Sequence, residues 1–275
     1  MDSASTSRAS EILENIYHKG QDKIWDGRVV LETLIIQHGG VASLDDKISQ
    51  SLERILSMIL RGEKAAWKIS LQLAQEISDI EAKLAATSQA HDESRHFYVL
   101  RDYLLQRGPI NNDLPRSITA ALEMVENTGS LGKKLLGMQL MVEPIALTIF
   151  QEIRRLDIDP VLSDLLPYFE RDEARHVALG VQYLPTVIKA MNPLQISALI
   201  AWQFRLFMLE LSGLKEMRND LEIVGLDPEK VFSLAESKQL SALEQFTDEL
   251  GITSLVWSPL RQLIRIRKDM ILGPK

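Results

Sequence analysis

Two short stretches of the sequence share the pattern Asp-Glu-x-Arg-His, whose side chains include metal ligands. The first copy comprises Asp92, Glu93, Arg95 and His96, and the second occupies positions 172–176, 80 residues later. On a helix, a glutamate and a histidine three positions apart lie on one face, so both could bind a single ion. A carboxylate with an imidazole suits iron or manganese better than calcium.

The pattern also has a plainer interpretation, in which its charged residues form ion pairs on a solvated helix face. One Glu-x-x-His match would be weak evidence for metal binding, because chance produces such matches. However, the residues at helical spacing around Glu93 and Glu173 are mostly apolar, as in a bundle interior. Ionised carboxylates on a buried face are costly unless they are paired or bound to metal. The two copies together therefore favour a metal site.

Each copy has a further glutamate 30 positions upstream, Glu63 in the first case and Glu143 in the second. If the chain turns near positions 78–79 and 157–160, the two glutamates of each pair lie at the same level of a helical hairpin. Both upstream glutamates have mainly apolar neighbours at helical spacing. We therefore predict six metal ligands: Glu63, Glu93, His96, Glu143, Glu173 and His176.

The elements that must position these residues are helices. Glycine and proline are few, 14 and 10 respectively, and no alternating strand pattern is visible. We predict an all-α fold with helices over 10–18, 22–38, 45–77, 80–106, 115–127, 130–156, 161–190, 193–223, 228–249 and 254–270.

The 80-residue offset predicts that two similar hairpins form a four-helix bundle over residues 45–190. We expect a single domain over 1–275, with a loose tail at 1–9. The additional helices at 191–275 would pack on the bundle or form an oligomer surface.

Composition excludes several kinds of site and partner. The chain has no cysteine, which excludes disulfides, iron–sulfur clusters and thiolate zinc sites. A net charge of −7 argues against general binding to nucleic acid. The most apolar window, 194–214, contains Gln203, Arg205 and Glu210, so we predict a buried helix and no membrane span. The polar N-terminal stretch lacks the apolar region of a secretory signal, and we expect a cytoplasmic protein.

The six predicted ligands resemble those of the ferritin-like di-iron carboxylate superfamily. The Asp-Glu-x-Arg-His form is similar to its oxygen-activating branch, which includes ribonucleotide reductase small subunits and bacterial multicomponent monooxygenases. The resemblance covers roughly residues 45–190. It implies a ferritin-like four-helix bundle, here with extra N- and C-terminal helices, and two bound iron ions or an Mn/Fe pair. At the position of the reductases' radical tyrosine this chain has Leu100, which disfavours a radical generator.

The resemblance also implies roles for the residues beside the ligands. Asp92 would accept a hydrogen bond from His176, and Asp172 would accept one from His96, which fixes each ring's orientation and tautomer. Arg95 and Arg175 would then hold the two aspartates in place. The alternative is that both arginines form ordinary surface ion pairs.

We expect an O2-dependent oxidoreductase that hydroxylates, desaturates or similarly oxidises a small apolar or amphipathic molecule. Electrons could come from a donor protein, and we expect a homodimer. Gly62 and Pro144 interrupt the helices beside two ligands, which indicates a channel with Trp67, Phe97 and Phe150 as walls, unless these aromatics are ordinary core residues. The alternatives are a ferritin-like iron-binding or storage protein, and a ligand-binding protein whose metal is only structural.

Overall fold

The computed structural model of the chain describes residues 8–250, which form helices and no strand, so the predicted all-α class is confirmed. The elements are α1 (Arg8–Asp22), α2 (Gly27–His38), α3 (Asp46–Glu76), α4 (Ile80–Arg107), α5 (Arg116–Glu126), α6 (Leu131–Lys134), a π-helical segment (Leu135–Val142), α7 (Glu143–Leu156), α8 (Pro160–Lys189), α9 (Pro193–Glu216), α10 (Arg218–Val224) and α11 (Pro228–Leu250).

Several predicted boundaries need correction. The helix predicted over 22–38 begins only at Gly27, because the Asp26 carboxylate caps it by accepting from the backbone N–H of Arg28 and Val29. Of the predicted loose tail at 1–9, residues 8 and 9 belong to α1 and the rest lie outside the described residues. The helix predicted over 254–270 also lies outside them.

Two long predicted helices are interrupted. The helix predicted over 130–156 contains the π-helical segment, and the helix predicted over 193–223 divides at Met217 into α9 and α10. In the first case proline is a direct cause: Pro144 has no N–H to donate to the carbonyl four residues earlier. We have no comparable physical reason for the break at Met217.

Both hairpins turn midway between their two paired glutamates, near positions 78–79 and 157–160. Asp79 caps α4, and its carboxylate accepts from the backbone N–H of Ala82 at 2.9 Å. Asp159 caps α8, and Pro160 occupies the first turn, where a missing N–H has no cost. The first hairpin is therefore α3–α4, and the second consists of the π-helical segment with α7, followed by α8.

The apolar core of the bundle is divided at the level of the predicted ligands. Along α3, the buried apolar residues between positions 52 and 60 belong to one cluster and those between 65 and 73 to another, with Glu63 between them. The same division occurs around the ligand positions of α4, α7 and α8. All four helices therefore carry their polar residues into one layer between two apolar halves.

The outer helices cover the bundle unequally. α1 packs on α4 and α8, α10 on α3, and α11 on α7 and α8. Among the described helices, α9 alone is long and apolar enough to cross a membrane, and only 28% of its most apolar window is buried. The predicted buried helix is therefore buried only in part, along the face that carries Leu199, Leu206 and Leu211. The absence of a membrane span stays a prediction.

Candidate metal centre

The structure brings the six predicted ligands together in the central layer. Each hairpin contributes one glutamate from its first helix and a Glu-x-x-His pair from its second helix. All six side chains are buried, and none of the six residues is more than 3% exposed. Their ligand atoms form two overlapping groups: Glu63, Glu93, His96 and Glu173 in one, and Glu93, Glu143, Glu173 and His176 in the other.

Within each group the ligand atoms lie within 4.8 Å of one another. His96 Nδ1 is 3.3 Å from a Glu63 oxygen and 3.2 Å from a Glu173 oxygen. His176 Nδ1 is 2.9 Å from a Glu93 oxygen and 3.4 Å from the other Glu173 oxygen. Glu93 and Glu173 belong to both groups, so each could bridge two ions.

The chemistry of these donors fits a pair of metal ions. Each of the six residues has a buried ligand atom without a hydrogen bond of normal geometry, namely one oxygen of each glutamate and Nδ1 of each histidine, although both Nδ1 atoms lie within ion-pair distance of the carboxylates. Buried polar atoms are almost always paired, so six unpaired atoms in one layer indicate a missing partner. Carboxylate oxygens and imidazole nitrogens together suit iron and manganese.

The pKa shifts reflect four carboxyl groups crowded into a dry layer. Burial raises the pKa of Glu63 to about 8 and that of Glu143 well above its usual value. Burial also opposes ionisation of Glu173, but nearby His176 and His96 bring its pKa down to about 2. A bound cation would favour the ionised form of every carboxyl group in this layer.

The same layer also raises the pKa of both histidines. Burial alone would lower the pKa of His96, but Asp172, Glu173 and Glu63 outweigh it and hold the pKa well above the usual value. For His176, the carboxylates of Glu93 and Glu173 have this effect. Without metal, the imidazoles therefore act as the cations of the cluster.

Two buried aspartates contact the far side of the histidine rings in the predicted crossed arrangement. Nε2 of His96 lies 3.2 Å from Asp172 Oδ2, and Nε2 of His176 lies 3.4 Å from Asp92 Oδ2. A proton held on Nε2 leaves the lone pair of Nδ1 directed to the cluster. Burial alone would raise the pKa of Asp92, but contact with His176 lowers it to about 2. The Asp92 carboxyl group is therefore ionised when it accepts this hydrogen bond.

The two arginines of the repeated pattern are not surface residues. Arg95 is 6% exposed and forms ion pairs with Asp92 and Asp172. Arg175 pairs with the same two aspartates, at 2.8 Å in each case. Each arginine therefore joins the two hairpins through the acceptors of the histidines.

Sequence reasoning missed two residues that contact this network. Gln89, one turn before Glu93, donates to a Glu143 oxygen at 2.7 Å and to a Glu93 oxygen at 3.3 Å. Trp25, between α1 and α2, donates its indole N–H to Asp172 at 2.8 Å. Gln89 could have been found, because it shares a helix face with Glu93. No local sequence signal indicates Trp25.

An apolar cavity adjoins the cluster. Its empty space, including open solvent at its mouth, is about 1110 Å³, and it is lined by the glutamates at positions 63, 93, 143 and 173. Its other walls are mostly aliphatic side chains from α3, α5, α7, α9 and α11. A cavity of this character could admit O2 and an apolar organic molecule to the cluster.

The predicted aromatic walls do not line this cavity. Trp67 and Phe97 pack together with ring centroids 6.2 Å apart, and Phe150 packs on Phe169 in the core. The reason is the choice of helix face: the cavity lies against the side of α3 that carries Gly62 and Ala66. The prediction of Trp67, Phe97 and Phe150 as its walls is therefore corrected.

Gly62 borders the cavity, but the interruption predicted there is wrong, because α3 continues through it as a regular helix. A Cβ atom added at Gly62 would meet no atom within 4 Å. Immediately before Glu143, the π-helical segment ends with the backbone N–H of Glu143 donating to Met138 O, five residues earlier. Met138 and Val142 of this segment line the cavity, so the helix break and the opening coincide.

No protein-family model and no curated protein sequence matches the chain. Among solved structures, it is similar to the dimanganese(II)-NrdF of Streptococcus sanguinis, with a TM-score of 0.70 and 11% identity over 90% of this chain and 92% of that chain. An R2-like ligand-binding oxidase with an Mn/Fe cofactor matches with a TM-score of 0.66 and 14% identity, over 85% and 93%.

A third similar structure is a Synechococcus protein with aldehyde deformylating oxidase activity. Its TM-score is 0.60, with 18% identity over 80% of this chain and 98% of that chain. All three are ferritin-like di-metal carboxylate proteins. At these identities the likeness shows the fold, and the predicted ferritin-like bundle is confirmed.

Proposed function

We propose that this protein is an O2-dependent di-metal oxidase that acts on a small apolar or amphipathic organic molecule. The observation that carries the proposal is the set of six unpaired buried ligand atoms beside an apolar cavity. Glu63, Glu143 and the two Glu-x-x-His pairs would hold two iron ions, or one manganese and one iron. Bound there, the ions would supply the redox chemistry that side chains lack.

The protein's own residues would prepare the site in three ways. Asp92 and Asp172 would hold the imidazoles with Nδ1 towards the ions, and Arg95 and Arg175 pair with these aspartates. Gln89 fixes one oxygen of Glu143 and leaves the other unpaired. The aliphatic walls would exclude bulk water and receive the organic substrate.

Oxygen consumption tests this function. The reduced, iron-loaded protein should consume O2 in an oxygen electrode, and Glu143→Ala and His176→Ala should each abolish most of the consumption because each removes a ligand. An exposed change, Glu123→Gln, serves as the control. Accumulation of many irons per chain as a mineral, without oxidation of any organic molecule, would instead establish the storage alternative.

Electrons for such an oxidase must come from outside the chain. It has no cysteine for a thiol or iron–sulfur relay, so a donor protein, a small reductant or the substrate itself would supply them. The homodimer also stays a prediction.

A further inference from the structure

Two glutamates that line the cavity, Glu210 and Glu236, belong to neither group of predicted ligands, and Glu210 has a buried unpaired oxygen. Glu210 lies on α9, and its carboxyl group lines the cavity together with the cluster glutamates. Its Oε2 accepts a hydrogen bond from the Gln239 side chain at 3.3 Å, whereas its Oε1 is buried and has no hydrogen-bond partner. An unpaired buried oxygen at the wall of a cavity is a site for a donor that enters the cavity.

Gln239 fixes the position of this carboxyl group relative to the metal centre. Its side-chain N–H2 group donates both to Glu210 and to the backbone carbonyl of Met141, at 2.9 Å. Met141 belongs to the π-helical segment that ends at Glu143. Because an amide has two N–H donors, one glutamine can hold both acceptors at once. α9, α11 and the interrupted helix thus meet at this point.

The charge of the cavity determines which donor fits. The described residues that line it include six glutamates and no lysine, arginine or histidine. Two metal ions would neutralise the four glutamates of the cluster, but an ionised Glu210 would have no basic side chain beside it among the described residues that line the cavity. A carboxylate ligand would be repelled here, whereas an ammonium group would supply both a hydrogen-bond donor and the missing positive charge.

Binding of an ammonium group would also displace a proton from Glu210. Burial raises the pKa of Glu210 to about 8, only partly offset by Gln239. Near neutral pH the carboxyl group therefore holds its proton, and an arriving ammonium would favour the ionised form.

We infer that the cavity binds an amphipathic amine, with its ammonium group on Glu210 and its hydrocarbon chain along the aliphatic walls. This inference names the substrate class of the proposed oxidase and therefore rests on that function. The geometry gives Glu210 the role of a specificity-determining residue, and Gln239 positions it.

The test compares three probes of equal chain length on the metal-loaded protein at neutral pH: octylamine, octan-1-ol and octanoate. Isothermal titration calorimetry should show octylamine binding about 10-fold or more tightly than octan-1-ol, with octanoate weakest, because a charged hydrogen bond is stronger than a neutral one. In Glu210→Gln, which has nearly the same shape, the preference for octylamine should disappear. Glu123→Gln, the same change on the exposed side of α5, should retain it.

A second variant tests whether the amine binds in this cavity. Leucine at position 62 would project into open space of the cavity, so Gly62→Leu should weaken the binding of both octylamine and octan-1-ol. Equal binding of octylamine by wild type and Glu210→Gln, or a wild-type preference for octan-1-ol or octanoate, would overturn the inference. The wild-type ranking decides the matter even if a variant fails to fold.

Metal analysis of the same samples separates this inference from the proposed function. Protein that binds two metals but shows no dependence on Glu210 refutes the amine alone. Protein that binds no metal, yet binds octylamine through Glu210, refutes the oxidase and leaves the amine site.

Discussion

The two hairpins of the bundle carry the same ligand pattern on different backbones. In the first, Glu63 lies within a continuous helix of 31 residues. In the second, Glu143 directly follows a π-helical segment of eight residues and precedes Pro144. Both hairpins line the cavity, but only the second does so with an interrupted helix. A repeated motif can therefore keep its donors while the backbone of one copy departs from a regular helix.

The two aspartates that contact the histidine rings, Asp92 and Asp172, also differ between the hairpins. Asp172 accepts from Trp25 and pairs with Arg171, in addition to the two arginines that it shares with Asp92. Burial alone would raise the pKa of Asp172, but contact with His96, Arg175 and Trp25 lowers this pKa below its usual value. His96 is also stacked on Phe169, with centroids 4.4 Å apart. The ring of the first hairpin is therefore held more firmly than that of the second.

The largest effect should come from a glutamate common to both groups. Glu173→Ala removes a donor from each group, so both ions should be lost, whereas Glu63→Ala should affect mainly the group that contains His96. Elemental analysis after identical metal loading measures the difference. Equal losses in both variants would mean that Glu173 does not bridge.

Proline placement tests the difference in backbone. Lys64→Pro introduces into the first hairpin the residue that follows the glutamate in the second, and it should lower the free energy of unfolding by about 3 kcal/mol or more. Pro144→Ala should change it by less than about 1 kcal/mol, because α7 begins at the preceding residue. Urea unfolding measures both values. Similar losses of stability in the two variants would contradict the difference between the two hairpins.

Replacing the acceptors of the histidines should weaken metal binding without abolishing it. Asp172→Asn and Asp92→Asn should each reduce affinity by about 10- to 100-fold. We expect the larger loss for Asp172, which has more partners. Competition with a chelator of known affinity gives both values, and a larger loss for Asp92 would reverse our ranking of the two halves.

The pH dependence follows from the raised pKa of Glu63. Between 4.5 and about 8 its carboxyl group ionises in the unfolded chain but not in the folded, metal-free protein. The stability contributed by this group is thus complete below pH 4.5 and is lost as pH rises towards 8. Bound metal requires the ionised form. The stabilisation by metal, measured by thermal unfolding, should therefore grow over this range, and less so in Glu63→Gln.

The smallest effect should come from Trp25→Phe, which removes one donor to Asp172 but leaves Arg95, Arg175 and His96 in place. Metal affinity should fall by less than about 10-fold. A loss as large as that of Asp172→Asn would show that the indole, rather than the arginines, holds this aspartate.

The sequence predicted those parts of the centre whose residues recur at a regular spacing along the chain. The hairpins and the common level of their glutamates follow from the 80-residue offset and from helical spacing, whereas the crossed aspartates were implied by the family resemblance. Trp25 could not be predicted in this way, because it reaches Asp172 from a short connection far along the chain. The cavity walls were also missed, because they depend on how α9 and α11 pack, which neither composition nor periodicity determines. Pro144 predicted an interruption of the helix, but not its extent from Leu135 to Val142.

Metal stoichiometry tests the central claim most directly. Anaerobic titration of the purified chain with ferrous iron, followed by elemental analysis of the desalted protein, should give about two ions per chain. The Glu173→Ala variant, treated in parallel, should retain almost none. A stably folded wild-type protein that retains no iron or manganese would contradict the six-ligand centre.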